Sequence, residues 1–245
     1  MVDAADGGPR EATACRLVSD AHGARDHVVG ARVEPSRALP LDGDGDALGS
    51  PLDREAILAL ASRAEGHPDN VAAALLGGLT VSCAVGDQVT AVSLPISPQI
   101  EWVVLVPEAE SSTKEARAVL ASTVPRADAV FNLQRLGLLL ASLAQGRADL
   151  LRVAMDDRLH QPQRQVLFPW MESVRRAALD AGAFGCVLSG AGPSLLAGVL
   201  GQGDAVAHAM EGALEAVGLK GRAVSLAVDT LGASWNRRRQ APVDG

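Results

Sequence analysis

Aromatic side chains are nearly missing from this chain, with Phe, Trp and Tyr together making 2% of its 245 residues. Proteins that hold single strands of nucleic acid stack bases on such rings, so that class is disfavoured. The balance of 22 basic against 29 acidic residues, a net charge of −7, adds repulsion of any phosphate backbone. Nucleic acid is not an expected partner. Cysteine is equally sparse: Cys15, Cys83 and Cys186 stand apart, with no CxxC pair. That argues against a disulfide framework or a zinc site and suits a reducing compartment. All three are expected as small buried hydrophobes. No apolar run reaches eighteen residues, so no membrane association is expected. The opening MVDAADGGPREATA has no basic stretch leading into an apolar one, so no secretory signal is read there and the expected location is cytoplasmic.

What is present is a chain 48% hydrophobic and 21% charged, the balance of a globular protein long enough for one large or two modest domains. Residues 1–46 are rich in Gly, Ala, Arg, Asp and Pro without a sustained helical or strand period, and read as a poorly ordered segment. From Leu52 the pattern changes. DREAILALASRAEG spaces apolar residues at Ile57, Leu58, Leu60 and Ala61, with Asp53 to cap the start and Gly66 to close the end. The loop EGHPDN leads into VAAALLGG, a second helix; LTVSCAV and QVTAVSL predict a hairpin, and IEWVVLVPE a buried strand.

Two amphipathic helical stretches follow, TKEARAVLAST and DAVFNLQRLGLLLASLAQ, and then an irregular stretch, DDRLHQPQRQVLFP. Next come a helix (WMESVRRAALDAG), a strand (FGCVLSG), the turn AGPS, a strand (LLAGVL), a helix (DAVAHAMEGALEAVG) and a last strand (RAVSLAVDT). That order predicts an α+β fold, a small open sheet covered on one face by helices. The expected division is 47–98 and 99–235 as two domains, with 236–245 a tail.

Three groups of residues could carry chemistry. His67, Asp69 and Asn70 fall at a helix start, where free backbone N–H groups favour an anion; the same residues also suit an ordinary helix start with Asp69 or Asn70 as the cap. In LSGAGPSLLAG, Gly190 and Gly192 allow a tight turn whose backbone can approach a ligand, or simply a hairpin stiffened by Pro193. Lys114, Arg117, Arg158 and Arg164 are basic residues in acidic surroundings; an arginine can grip a carboxylate, although any one of them is more often a solvated surface residue.

EGHPDNVAAALLGG, STKEARAVLASTVPRADAVFNLQRLGLLLASL, DDRLHQPQR and LSGAGPSLLAG stand in the order and spacing found in bacterial homoserine kinases of the GHMP small-molecule kinase superfamily, and from about Ala47 onward the chain resembles that family. The resemblance implies a GHMP kinase fold, here an incomplete N-terminal α/β domain followed by a C-terminal ferredoxin-like α/β sandwich. It implies ATP-dependent phosphorylation of the side-chain hydroxyl of L-homoserine, a step toward threonine, with ATP and Mg2+ required and a homodimer as the assembly. His67, Asp69 and Asn70 match the catalytic loop beside the substrate and the transferring phosphoryl group. Thr113, Arg117 and Arg164 match substrate contacts, Arg164 the clamp on the substrate carboxylate. Ser189, Gly190, Gly192 and Ser194 match the superfamily's third motif, which supports the cofactor site.

The sequence also departs from the family. Neither the PxSxNLGPGFD-like strand motif nor the PxxxGLGSSAA loop that wraps ATP phosphates occurs in it, Leu48-Gly49-Ser50 being the nearest remnant. The acidic residue common eight positions before the motif histidine is Ala59 here, which leaves the metal ligand unassigned. The resemblance therefore also admits a truncated, inactive remnant that binds homoserine weakly. A kinase for another small molecule, such as mevalonate or a sugar, is disfavoured by TKEAR and DDRLHQPQR. Loss of the missing strands predicts exposed apolar surface.

Overall fold

The computed structural model describes residues 53–86, 88–109 and 112–234, together with the backbone of three short strands earlier in the chain, β1 (Arg16–Val18), β2 (Val28–Val29) and β3 (Arg32–Glu34). β1 and β3 pair antiparallel. The expectation of poor order for the rest of residues 1–46, that of a tail beyond residue 235, and Cys15 lie outside the described residues. The chain divides into two compact units, one built around residues 30–93 with the stretch from Asp229 onward, the other around Leu94–Val228.

In the first unit, α1 (Arg54–Glu65) starts where the Asp53 carboxylate accepts the Ala56 N–H at 2.8 Å and is closed by Gly66. α2 (Asp69–Leu76) follows directly. The two helices bury Leu58, Val71, Ala72 and Leu75 against Val89, Ala91 and Ala233. The hairpin of β4 (Leu79–Val85) and β5 (Gln88–Leu94) forms as predicted. The returning stretch is bound to α2 through Ala233 N–H to Ala74 O (2.9 Å) and to the turn after it through Gly78 N–H to Asp229 O (2.7 Å). One face of β4, carrying Val81, Cys83 and Val85, is open to solvent.

Cys83 thereby corrects one expectation: it is an exposed thiol, because none of the described residues covers that strand face, whereas Cys186 is buried as expected. Burial pushes the Cys186 thiol up to about 12, so it carries almost no thiolate near neutrality. A thiol reagent at pH 7.5 is expected to label Cys83 within minutes and Cys186 only after denaturation, read by peptide mass mapping. Fast labelling of native Cys186 would contradict this packing.

The second unit is a layered α+β structure. Its sheet runs β2-β9-β6-β8-β7, with β6 (Glu101–Pro107) at the centre, β7 (Gly185–Leu188) and β8 (Leu195–Val199) on one side and β9 (Gly221–Val228) on the other. β6 is antiparallel to both β8 and β9, β7 is antiparallel to β8, and β2 joins the edge parallel to β9. With α7 (Met171–Asp180) leading into β7 and α8 (Gly203–Glu215) into β9, this is the split βαβ arrangement of ferredoxin-like folds that the resemblance implies.

Strand alternation does the packing: Val103 and Leu105 of β6 point to the same face and meet Leu195, Ala197 and Val199 of β8 and Val206, Met210 and Leu214 of α8. Leu105, Leu195, Met210 and Leu214 are completely enclosed, each contributing about 1.5–3 kcal/mol by leaving water.

Between β6 and α7 the described residues form four helices, which carry Thr113, Arg117 and Arg164. α3 (Thr113–Ala118) is shorter than its sequence period predicts. Its start is fixed by a capping box, in which Ser112 Oγ accepts the Glu115 N–H at 3.1 Å and Glu115 accepts the Ser112 N–H at 3.2 Å. α4 (Arg126–Gln145), α5 (Ala148–Ala154) and α6 (Gln161–Arg164) follow. α5 and α6 were not read from the sequence, and α6 lies inside the stretch expected to be irregular. On α4, Leu133 and Leu136 are 68% and 52% exposed.

Candidate active site

In the first unit, His67 Nδ1 is hydrogen-bonded to Asp69 Oδ1, which also accepts the Asn70 N–H at 3.0 Å. Asp69 is the first residue of α2 and Pro68 occupies the cap position, with no side chain capping the helix. The simple alternative in which Asp69 or Asn70 caps the helix is therefore not what forms. Asp69 instead spends its carboxylate on the imidazole, stands exposed beside free backbone donors, and leaves the Asn70 amide unengaged among the described residues.

In the second unit the glycine turn joins β7 to β8. Ser189 N–H donates to Ser194 O (2.8 Å) and Gly192 N–H to Ser189 O (3.1 Å). Gly190 and Gly192 take positive φ, 58° and 82°, and the Gly192–Pro193 peptide is cis. The Ser189 and Ser194 side chains are half-buried and make no hydrogen bond among the described residues.

The two glycines differ in what surrounds them. A Cβ at Gly190 would project into open space, whereas one at Gly192 would fall 2.7 Å from a Phe168 ring carbon and 3.1 Å from Leu188. Gly192→Ala is expected to cost about 2–3 kcal/mol, against about 1 kcal/mol for Gly190→Ala, because only the former adds overpacking to backbone strain. Urea unfolding checks the ranking, and equal costs would refute it.

Arg164 is the junction of this unit's site residues. Its Nε donates to Ala116 O (3.1 Å) and its Nη1 to Gly190 O (3.1 Å), while Nη1 also contacts His160 Nδ1 at 3.2 Å. One side chain thus ties α3 to the glycine turn. Burial depresses the Arg164 guanidinium below its ordinary value; Asp157 opposes this and the like charge of Arg117 adds to it. Neither arginine forms an ion pair with a carboxylate among the described residues, so two neighbouring cations stand ready for an anion. Thr113 opens α3, but its side chain lies outside the described residues.

Residues around Arg164 that the sequence reading passed over hold it in place. Asp157, with its side chain 7% exposed, accepts from Asn132 Nδ2 (2.6 Å) and from the N–H groups of Leu159 (3.2 Å), His160 (2.8 Å) and Gln161 (2.7 Å). Gln161 Oε1 accepts the Leu188 N–H (3.0 Å) and Gln163 Oε1 the Ala121 N–H (2.6 Å). The short helix is therefore bound to α4, to β7 and to the loop after α3. The available signal was an aspartate ahead of a segment with proline at its second helical position, a local capping pattern. Of the other basic candidates, Arg158 lies over the Phe131 ring at 3.8 Å and 3.5 Å from Asp128, and Lys114 is exposed.

A cleft of about 750 Å³ lies beside the turn, lined by Val106, Pro107, Ser112, Glu115, Pro193 and Ser194. Its size is within the range of small-molecule sites.

A ferredoxin-like sheet, a glycine turn between two of its strands, and an arginine tying that turn to an inserted helix form the setting in which residues 139–216 match the family described as GHMP kinases C terminal. Its relatives include homoserine kinases. It is 45% identical to the homoserine kinase of Microchaete diplosiphon over 187 residues, 76% of this chain and 61% of that protein. It is also 45% identical to that of Synechococcus sp. (strain CC9311) over 197 residues, 80% of this chain and 62% of that protein. The crystal structure of homoserine kinase from Cytophaga hutchinsonii superposes with a TM-score of 0.70 at 31% identity, covering 77% of this chain and 62% of that one. The chain thus spans about three fifths of the length of the curated relatives it matches. No helix among the described residues is long and apolar enough to cross a membrane.

Proposed function

We propose that this chain is a homoserine kinase that receives L-homoserine at Arg117 and Arg164 and directs its side-chain hydroxyl to the γ-phosphate of ATP, giving O-phosphohomoserine on the way to threonine. The observation that carries this reading is that Arg117 and Arg164, which repel one another, form no ion pair with a carboxylate among the described residues, Arg164 being fixed between α3 and the glycine turn. Arg164 is half-buried and Arg117 exposed; an anion received between them would relieve the repulsion that Arg117 exerts on Arg164, and the carboxylate of an amino acid is such an anion.

In this reading Thr113 adds a substrate contact. On the resemblance, His67, Asp69 and Asn70 are the catalytic-loop residues, with Asp69 bonded to the imidazole. The turn of Ser189, Gly190, Gly192 and Ser194 presents two unengaged hydroxyls to the nucleotide side. Phosphoryl transfer depends mainly on alignment: the hydroxyl oxygen bonds to the γ-phosphorus as the bridging oxygen leaves with ADP, and no strong base is needed. Magnesium in this reading would be held by the nucleotide phosphates with one or two protein carboxylates, and with Ala59 standing where the family's acidic residue is common its protein ligand is unassigned.

A second reading is homoserine binding without turnover, favoured by the lack of a GLGSSAA-type loop anywhere in the sequence. A coupled ATP-to-ADP assay with and without L-homoserine separates the two. Homoserine-dependent ADP release supports the kinase; homoserine binding with no ADP release favours the second reading; release with mevalonate but not homoserine sinks both.

A further inference from the structure

The guanidinium of Arg164 offers five N–H donors. Nε is committed to Ala116 O, and the two Nη1 protons are committed to Gly190 O and His160 Nδ1. Only Nη2 is left. A side-on fork needs Nε and an end-on fork needs Nη1, so neither bidentate grip on a carboxylate is open without breaking an internal bond.

We propose that His160 is a positioning residue for Arg164: by accepting an Nη1 proton it turns the Nη2 edge toward the substrate carboxylate, which then bridges Nη2 and Arg117. This rests on the reading of Arg164 as a homoserine contact.

The protonation state follows from the geometry. An arginine N–H always donates, so His160 Nδ1 is the acceptor and its proton resides on Nε2, which lies 3.7 Å from Asp157 Oδ1. Asp157 is itself fixed by Asn132 of α4 and by three backbone N–H groups, so the imidazole has a rigid reference. The charged groups acting on His160 are Asp157 and Arg164; Arg117 of α3 acts on Arg164, and residues 189–194 of the turn contain no titratable side chain.

Protonation of Nδ1 would replace an acceptor by a donor and set imidazolium against guanidinium, ending the contact. Burial lowers the His160 pKa below its ordinary 6.5, opposed by Asp157 and helped by Arg164. The neutral, orienting form therefore persists below pH 6.5, and the contact is lost as pH falls through the lowered value.

The test uses the full chain, with L-homoserine affinity measured by calorimetry from about pH 5 to 8 and the imidazole and Arg164 side-chain nitrogens followed by 15N NMR. The wild type should show the Nε2–H tautomer, a His160 pKa below 6.5, and an affinity that falls about tenfold as His160 protonates. His160→Asn, whose amide oxygen can replace Nδ1, should keep the affinity at neutral pH within about twofold and lose the acid dependence. His160→Leu should lose about tenfold throughout and shift the Arg164 Nη resonances.

An Nδ1–H tautomer, affinity that rises on acidification, or wild-type affinity in a folded His160→Leu variant would overturn the proposal. Absence of homoserine binding by the wild type at every pH would instead remove the homoserine reading, with the tautomer and the Arg164 resonances then deciding the orienting role alone.

Discussion

Replacing Arg164 by Leu is expected to reduce the affinity for L-homoserine by about 100-fold or more and to destabilise the second unit by about 2–4 kcal/mol. The two effects have separate origins. Affinity falls because one of two adjacent cations is removed from the carboxylate. Stability falls because the carbonyls of Ala116 and Gly190 lose their donor, and with it the link between α3 and the glycine turn. Arg164→Lys should recover charge without the fork that spans three acceptors, and so rescue part of the affinity but little of the stability. Arg117→Leu should lose affinity while leaving the urea midpoint nearly unchanged, since Arg117 is exposed and makes no hydrogen bond among the described residues. Calorimetry and urea unfolding on the three variants check the separation. A fully stable Arg164→Leu variant would contradict the junction.

Asp157→Ala should be the more damaging change to the fold, costing about 3–5 kcal/mol by stranding an amide donor and three backbone N–H groups at a site with little access to water. The aspartate is also an acid sensor for the same segment. Burial alone would raise its pKa, but the Gln161 N–H, the Asn132 amide, the His160 N–H and the His160 charge together hold it below the ordinary carboxylate value. Its contribution is therefore present in full above the unfolded carboxylate pKa of about 3.9 and is lost as pH falls through the lower folded value. Unfolding curves from about pH 2 to 7 should show this acid limb in the wild type and a flatter one in Asp157→Ala. Parallel limbs would mean that the segment is held by something else.

Most of the scaffold was legible because its elements announce themselves locally. Asp53 and Gly66 bracket α1, alternating apolar residues mark β6, and β7, α8 and β9 fall where period and turn residues place them. The misreadings share a cause. α6 is a single turn stabilised by Asp157, Gln161, Gln163 and Arg164 through partners 25 to 48 residues away in sequence, such as Asn132, Leu188, Ala121 and Ala116. Such bonds leave no period. α3 stops early because its capping box fixes the start while the residues after Ala118 leave the helix before Pro125. Cys83 was misplaced because strand alternation reveals which residues share a face, whereas whether anything covers that face depends on the rest of the fold.

The site was legible as residue types but not as commitments. Arg164 reads as a free carboxylate clamp in the sequence; in the fold, three of its five donors are already engaged, and only Nη2 with the neighbouring Arg117 remains for a ligand. Likewise Asp69 reads as a helix cap until its bond to His67 is seen.

Recognition of an amino-acid carboxylate by Arg117 and Arg164 is the central claim, and one titration tests it most directly: calorimetry of the 245-residue chain with L-homoserine and with 3-aminopropan-1-ol, which keeps the amine and hydroxyl but lacks the carboxylate. One-to-one binding of L-homoserine, weaker by about 100-fold or more for the decarboxylated analogue, is the expected result. Equal affinity for the two, or no binding of L-homoserine by folded protein, would contradict it.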